Sequence, residues 1–443
     1  MKQDLTEGPI TGKLLRFAFP MMLGNLLQQF YNIADTWIVG RFLGAKALAA
    51  VGSSYTLMVF LTSILLGLCM GSGAAFSICY GRRDTERLKN SIFLSFTLIL
   101  AVTLALNVLV YAGFSVIMWI LRVPDEVAPL MSQYLLVIFT GILATFLYNF
   151  FSNLLRAVGN SVVPLAFLGV SAVLNIVLDL VFVVVFHWGV RGAAAATVIA
   201  QYVSGIGILL YALVRFPELR VEKRHCRWVP SVVKEITNLS LLTCIQQSVM
   251  NFGILMVQGL VNSFGTVIMA AFAAAVKIDS FAYMPVQDFG NAFSTFTAQN
   301  YGAKKDARIR QGIRSAAVSV TVFCFVISSL VCIFAKPLMQ IFIDPSETEI
   351  ITAGVAYLRI EAAFYLGIGV LFLLYGFYRA VNRPGMSVVL TVISLGTRVL
   401  LAYTLSAIPA IGVTGIWVSV PIGWALADLT GILYYRKRIR KTL

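Results

Sequence analysis

Residues 53–79 read SSYTLMVFLTSILLGLCMGSGAAFSIC, a stretch without one charged side chain, and Tyr80-Gly81-Arg82-Arg83 follows at once. About 20 apolar residues suffice to cross the hydrocarbon of a bilayer. Lipid offers no water to satisfy backbone N–H and C=O groups, so such a run must be helical. Comparable runs recur at about 14–40, 91–119, 130–152, 163–186, 192–213, 235–262, 267–298, 312–334, 351–375, 385–407 and 413–435, making about twelve predicted spans. Composition agrees. Of 443 residues, 59% are hydrophobic and 12% charged, and a soluble domain carries about twice that charge. Alternating ten-residue segments of the membrane-barrel type are absent. The fold class is therefore all-α integral membrane. Met1–Lys13 is polar and no small-residue cleavage site follows the first run, so 14–40 reads as a retained span.

The residues that close the quoted run also open a repeat. Tyr80-Gly81-Arg82-Arg83 returns as Tyr301-Gly302-Ala303-Lys304, and Leu43-Gly44 as Phe264-Gly265. Tyr134-Leu135 matches Tyr357-Leu358, and Arg156-Ala157-Val158 matches Arg379-Ala380-Val381. Gly189-Val190-Arg191-Gly192 matches Gly412-Val413-Thr414-Gly415, all at a shift of about 221–223 residues. Two halves of six spans each are expected. Six is even, so the repeats run parallel, about an axis along the membrane normal. The expected division is an N-lobe over 1–215, a charged linker over 216–232 and a C-lobe over 233–443. Two such lobes around a central cleft suit alternating access.

Net charge is +15, but the basic residues lie in short segments between spans and form no basic domain that could hold a nucleic acid. Arg82–Lys89, Arg156, Arg215–Lys234, Lys304–Arg314, Arg379–Arg383 and the tail Arg436–Lys441 fall on one side. The other side holds only Arg41, Lys46, Arg122, Arg191 and Lys336. The positive-inside rule then places both termini in the cytoplasm of a multi-pass cell-membrane protein. Six cysteines without a CxxC pair, and two separated histidines, offer no metal cluster. Most of the cysteines read as small buried hydrophobes. No catalytic nucleophile–base pair stands out, which argues against an enzyme.

Polar residues inside spans are costly and usually face a bundle interior. Asn25, Gln28, Asn32 and Asp35 share one face of the first span, and Ser240, Thr243, Gln247, Asn251, Gln258 and Asn262 form a related stripe on the seventh. Either stripe could glue helices together or line a wet cleft; Gln28, Asn32, Gln247, Asn251, Lys277 and Arg398 are the candidate cleft residues. Asp35, Asp179 and Thr197 lie roughly 9, 12 and 9 Å from the outer ends of their spans, at about 1.5 Å rise per residue. Asn175 precedes Asp179 by one turn. These four make a candidate cation or proton pocket in the N-lobe. By the repeat offset Asn175 corresponds to Arg398 and Asp179 to Ala402, so the second half lacks that pocket. Lys277 and Asp279 are read as a pair or a helix cap, and Glu361, close to Arg359, as an interface residue. Pro20 breaks a backbone hydrogen bond in the first helix and is the candidate hinge.

Asn32-Ile33-Ala34-Asp35-Thr36, Gly40-Arg41-Phe42-Leu43-Gly44, Tyr80-Gly81, Asn175-Ile176-Val177-Leu178-Asp179, Met284-Pro285-Val286-Gln287-Asp288-Phe289-Gly290 and Gln299-Asn300-Tyr301-Gly302-Ala303 stand in one order on two six-helix halves. In this the chain resembles the multidrug and toxic compound extrusion (MATE) transporters over nearly its whole length. The resemblance implies a V-shaped, twelve-helix antiporter exporting organic cations, dyes and antibiotics against inward flow of H⁺ or Na⁺. It is similar to the branch with an N-lobe cation site, whose pattern is met at Asp35, Asn175, Asp179 and Thr197, with Pro20 at the position where that branch is thought to bend its first helix. A sister branch also uses carboxylates in the seventh and tenth helices. Here the seventh span has Gln246, Gln247 and Gln258 but no carboxylate beyond Glu235, and the tenth has Glu361 alone to set against that pattern, which leaves a second ion site open. The implied partners are small organic molecules and membrane lipid, with no cofactor beyond the coupling ion and a single chain as the working unit. The alternative is a flippase for lipids or lipid-linked precursors, which usually adds spans and a strongly cationic cavity; here Lys277 and Arg398 are the only cavity cations.

The orientation is directly testable. In a background without native cysteines, single cysteines at Lys223 and Lys305 should react with an impermeant reagent only from the cytoplasm, and those at Lys46 and Lys336 only from outside. Labelling of position 223 from outside would reverse the topology.

Overall fold

The computed structural model describes residues 3–120 and 125–440, and among these the chain is helical with no strand. Arg122 and Lys441, counted among the sided charges, lie outside the described residues. The first half runs α1 (Ile10–Leu43), α2 (Ala45–Gly81), α3 (Thr85–Ala112), α4 (Phe114–Ile120), α5 (Ala128–Ile138), α6 (Ile142–Ala157), α7 (Val162–Asp179) and α8 (Gly189–Arg215). The second runs α9 (Pro230–Asn262), α10 (Thr266–Gly302), α11 (Asp306–Ile333), α12 (Ala335–Gln340), α13 (Thr348–Ala363), α14 (Tyr365–Ala380), α15 (Pro384–Ser406) and α16 (Thr414–Tyr434). Ten described helices are long and apolar enough to cross a membrane, or eleven if α13 and α14, bent by 51° at Phe364, form one span. The twelfth expected span is α1. It has 34 residues but is not among those ten, because Asn25, Gln28, Gln29, Asn32 and Asp35 dilute its apolar character.

By contacts the chain forms two compact units. Unit 1 is Leu23–Cys244 with a short N-terminal stretch ending at Asp4, and unit 2 is Leu5–Met22 with the chain from Ile245 onward. The bounds fall inside α1 and α9, so each of these helices belongs partly to either unit. Unit 1 packs on Phe96, Phe146, Phe150 and Phe151, whose rings meet at 5.3–6.2 Å. In unit 2, Trp417 stacks on Phe272 at 5.5 Å and takes Tyr357 edge-on at 4.9 Å. Such ring pairs add about 0.5–1.5 kcal/mol beyond their burial.

The repeat is written into the backbone. α2 and α10 each have 37 residues, and α3 and α11 each have 28. Left-handed residues recur in register: Gly44 with Gly265 (φ 85° and 93°), Arg83 with Lys304 (57° and 56°), Gly159 with Asn382 (86° and 58°), and Gly189 with Gly412 (61° and 54°). Side chains disfavour this region by about 1–2 kcal/mol. Arg83 and Lys304 nonetheless keep it, each in the turn after the Tyr-Gly pair, so the turn geometry outlasts the residue type.

The charged stretch 216–232 folds against the start of α3. Lys89 Nζ donates to Glu222 at 3.1 Å, and this hydrogen bond holds the Glu222 carboxyl below the usual carboxylate range. Asn90 Nδ2 donates to the carbonyls of His225 and Arg227 at 2.8 Å each. The buried His225 ring accepts the Glu222 backbone N–H at Nδ1 (3.0 Å) and turns Nε2 to Glu86 at 3.0 Å. Arg87 pairs with Glu235 at the start of α9. In unit 2, Gln299 and Asn300 hold the buried Leu5 backbone, Gln299 accepting its N–H at 3.3 Å and Asn300 donating to its carbonyl at 3.2 Å.

Close helix approach depends on glycine. On α2, Gly67 and Gly71 lie one turn apart against α9, and the Ser72 and Ser240 hydroxyls bond beside them at 2.9 Å. A Cβ at position 71 would collide with the Leu239 carbonyl and the Ser240 backbone. Small residues are how membrane helices reach such contact. Gly71→Val should therefore lower the melting temperature, in keeping with an overpacking cost of about 1–3 kcal/mol. Gly52→Val, where no atom lies within 4 Å of the added carbon, should not. Equal melting of the two variants would contradict this packing.

Candidate functional site

Asp179 ends α7 at the point where the helix widens into the π-type turns of Leu180–Val185. Wide turns of this kind are rare and gather at functional sites. Asp179 has no exposed surface, and Asn175 on the same face is 2% exposed. Asn175 Nδ2 donates to Thr197 Oγ1 of α8 at 3.2 Å, tying the two helices together at that depth. Asp35 of α1 faces Asp179 carboxyl to carboxyl. The structure thus brings Asp35, Asn175, Asp179 and Thr197 together within unit 1.

What they lack is as informative. Both oxygens of Asp179, Oδ1 of Asp35 and Oδ1 of Asn175 are buried without a hydrogen-bond partner among the described residues. No Lys or Arg among those residues forms an ion pair with either carboxylate. Two adjacent carboxylates at membrane depth cannot cheaply both stay charged, since even one costs roughly 2.5–3.5 kcal/mol on insertion scales. An all-oxygen set around two acids suits a proton or a small hard cation.

Two residues that sequence reasoning missed complete the pocket. Tyr134 of α5, 7% exposed, stands in the field of both carboxylates. Tyr31, one turn before Asp35, interacts with Gln28 and Asp35. Tyr31 sits on the stripe at the i−4 position from Asp35, and Tyr134 belongs to the repeat pair with Tyr357, so both carried a readable signal.

The other sequence candidates scatter. Gln28 is exposed, Asn32 and Asn251 are half-buried, and Gln247 is buried. On the α9 stripe Ser240 ties the helix to Ser72 of α2, whereas the Thr243 hydroxyl donates to the Leu239 carbonyl at 2.6 Å and Gln258 bonds Asn262 at 2.9 Å, both within α9 itself. One expectation needs correction. Lys277 is exposed and does not pair with Asp279, whose carboxylate is taken by the Tyr365 and Tyr357 hydroxyls. Glu361 is 1% exposed, on the inner face of α13. Arg398 is half-buried and lies in the field of Asp279 and Glu361. Asp428, the one acid of α16, is largely buried with Oδ1 unpartnered among the described residues, and the span's single charge was the clue to it. Pro20 is buried inside α1, which runs unbroken through it, and the division between units falls two residues further on.

Comparison with known proteins gives one answer. The chain is 31% identical to the probable multidrug resistance protein YpnP of Bacillus subtilis over 98% of this chain and 96% of that one. It is 28% identical to the probable multidrug resistance protein YoeA of the same organism, over 95% and 92%. Its fold matches the outward-facing conformation of a multidrug resistance MATE family transporter of the MOP superfamily, with a TM-score of 0.92, 23% identity and coverage of 99% and 97%. The MatE family model matches residues 20–181 and 240–404, both halves in turn. With two matching repeats and full-length relatives, this multi-pass membrane chain belongs to the MatE family of transporters.

Proposed function

We propose that the chain is a secondary antiporter in the cell membrane, exporting small organic and drug-like compounds, cationic or amphipathic, in exchange for H⁺ or Na⁺. The observation that carries this is the Asp35–Asp179 pair, carboxyl to carboxyl, with Asp179 buried and Asp35 half-buried, and no ion pair to a Lys or Arg among the described residues. Relatives named as multidrug resistance proteins support the export half of the reading. Both termini lie in the cytoplasm, and a single chain surrounded by lipid is the working unit. Gln28 and Asn32 on α1, Gln247 and Asn251 on α9, and Lys277 on α10 are the residues proposed to meet the exported compound.

The pair works as a charge switch. When it is empty, two carboxylates repel across the gap between α1 and α7. A proton or Na⁺ entering from outside removes that repulsion, with Asn175 and Thr197 supplying neutral oxygens. α1 then repacks against α7 and its new position disfavours the exported compound. By linkage, compound binding disfavours the ion to the same degree, which is what exchange requires. Inward movement of one positive charge is worth about 2.3 kcal/mol per 100 mV of membrane potential.

Asp179→Asn keeps the shape of the pocket but cannot exchange a proton. It should insert normally and bind a fluorescent dye, but lose dye accumulation driven by imposed pH or Na⁺ gradients in proteoliposomes; Asp35→Asn should behave alike. If both variants still accumulate dye with wild-type dependence on the gradients, the pair does not couple transport. A labelled lipid that moves where the dye does not would favour the flippase.

Pro20 is the proposed hinge of α1. Proline in a helix interior costs about 3 kcal/mol or more, so Pro20→Ala should melt no lower than the parent. Export should nevertheless slow, because the restored backbone bond stiffens the helix that carries Asp35. Export at the parent rate would remove Pro20 from the cycle.

A further inference from the structure

Unit 2 holds a buried acidic cluster that the proposed function leaves unused. Asp279 of α10 accepts a hydrogen bond from the Tyr365 hydroxyl of α14 at 2.6 Å, and a longer one from the Tyr357 hydroxyl of α13 at 3.4 Å. Glu361 lies one turn beyond Tyr357, is 1% exposed, and has no hydrogen-bond partner for either oxygen among the described residues. Arg398 of α15 acts through space on both carboxylates; its Nε is buried and unpartnered among the same residues. Among the described residues Tyr283 of α10 also lies in this field.

The cluster occupies the repeat equivalent of the unit 1 pocket. Tyr357 is the repeat partner of Tyr134, which stands in the field of Asp35 and Asp179. Arg398 is the repeat partner of Asn175, which bonds Thr197 beside Asp179. In each unit, then, one corner gathers two carboxylates and a tyrosine. The acids come from different helices: α1 and α7 in unit 1, α10 and α13 in unit 2. The decisive difference is the shared position, a neutral amide at 175 and a guanidinium at 398. An arginine does not deprotonate in proteins, so its charge is permanent. The unit 1 corner has two acids and, among the described residues, no Lys or Arg paired with them, so on the coupling reading its positive charge comes from outside. The unit 2 cluster has two acids and a cation that the chain itself supplies.

We infer that Arg398 is a tethered counter-cation: in unit 2 it fills the part that an exchangeable ion plays in unit 1, and so keeps the Asp279–Glu361 cluster from taking up a small monovalent cation. The parallel with unit 1 rests on the coupling reading above, but the test does not, because it is run with unit 1 disabled.

The experiment measures radioactive sodium bound to the purified full chain carrying Asp179→Asn, by equilibrium dialysis at alkaline pH, with choline chloride holding ionic strength constant. Arg398→Gln should raise bound sodium by about one ion per chain, the ion binding to the folded state. Adding Glu361→Gln to Arg398→Gln should abolish the gain, and Arg398→Lys, which keeps the charge, should show none. A folded Arg398→Gln protein without extra sodium overturns the inference, as does a gain in Arg398→Lys or one that survives Glu361→Gln. Should Arg398→Gln fail to fold, recovery of folding by the added Glu361→Gln supports the charge role. Failure of that double variant as well overturns it, since Arg398 would then be needed for packing.

Discussion

Lipid supplies no hydrogen bonds, and every polar group carried into it must find a partner in the protein or exchange one with the surroundings. That constraint sorts the interior of this chain. Most buried polar groups are settled internally. Arg379, 4% exposed, gives hydrogen bonds to Ser294 Oγ at 3.3 Å and Asn291 Oδ1 at 2.9 Å. The Ser72–Ser240 bond closes the glycine contact between α2 and α9. Others are not, and among the buried atoms left without a partner among the described residues are those of Asp35, Asp179 and Asn175 in one unit and of Glu361, Arg398 and Asp428 in the other. Groups that folding leaves unsatisfied are the natural place for an ion to act, because only there does its arrival change the energy of the helices around it.

The two halves share a backbone and differ in chemistry. Helix lengths, left-handed turns and the Tyr134–Tyr357 pair are kept across the repeat. The charges are not. Asn175 and Asp179 give way to Arg398 and Ala402, and the acids of unit 2 come from α10 and α13 instead. The repeated scaffold is thus kept where it packs, while the charges it carries differ between the halves.

Much of this was legible before any coordinates. Apolar run length gave the helices, because a bilayer's thickness admits few alternatives, and the motif pairs gave the repeat. Depth counting from Arg41, His187 and Arg191 assembled Asp35, Asp179 and Thr197, because rise per residue is fixed along a helix. What stayed hidden depended on contacts between helices distant in sequence. Nothing local says that Asp279 turns from Lys277, two residues away, to Tyr365. Proximity to Arg359 suggested an interface position for Glu361, and helix packing buries it. The span count differed because α1 carries the polar stripe and is the least lipid-like of the long helices. The 216–232 stretch reads as a charged linker by composition alone; the structure adds that Glu222 and His225 find partners on α3.

The bounds of the compact units run through α1 and α9, not through the charged stretch between the repeats. The opening segment of the first half, Leu5–Met22, is counted with the second unit, and the opening segment of α9, through Cys244, with the first. The halves have traded their leading helix ends. A half taken alone would therefore leave the Gly67–Gly71 face of α2 without the helix end it packs against, so the covalent join between the repeats is also what completes each compact unit.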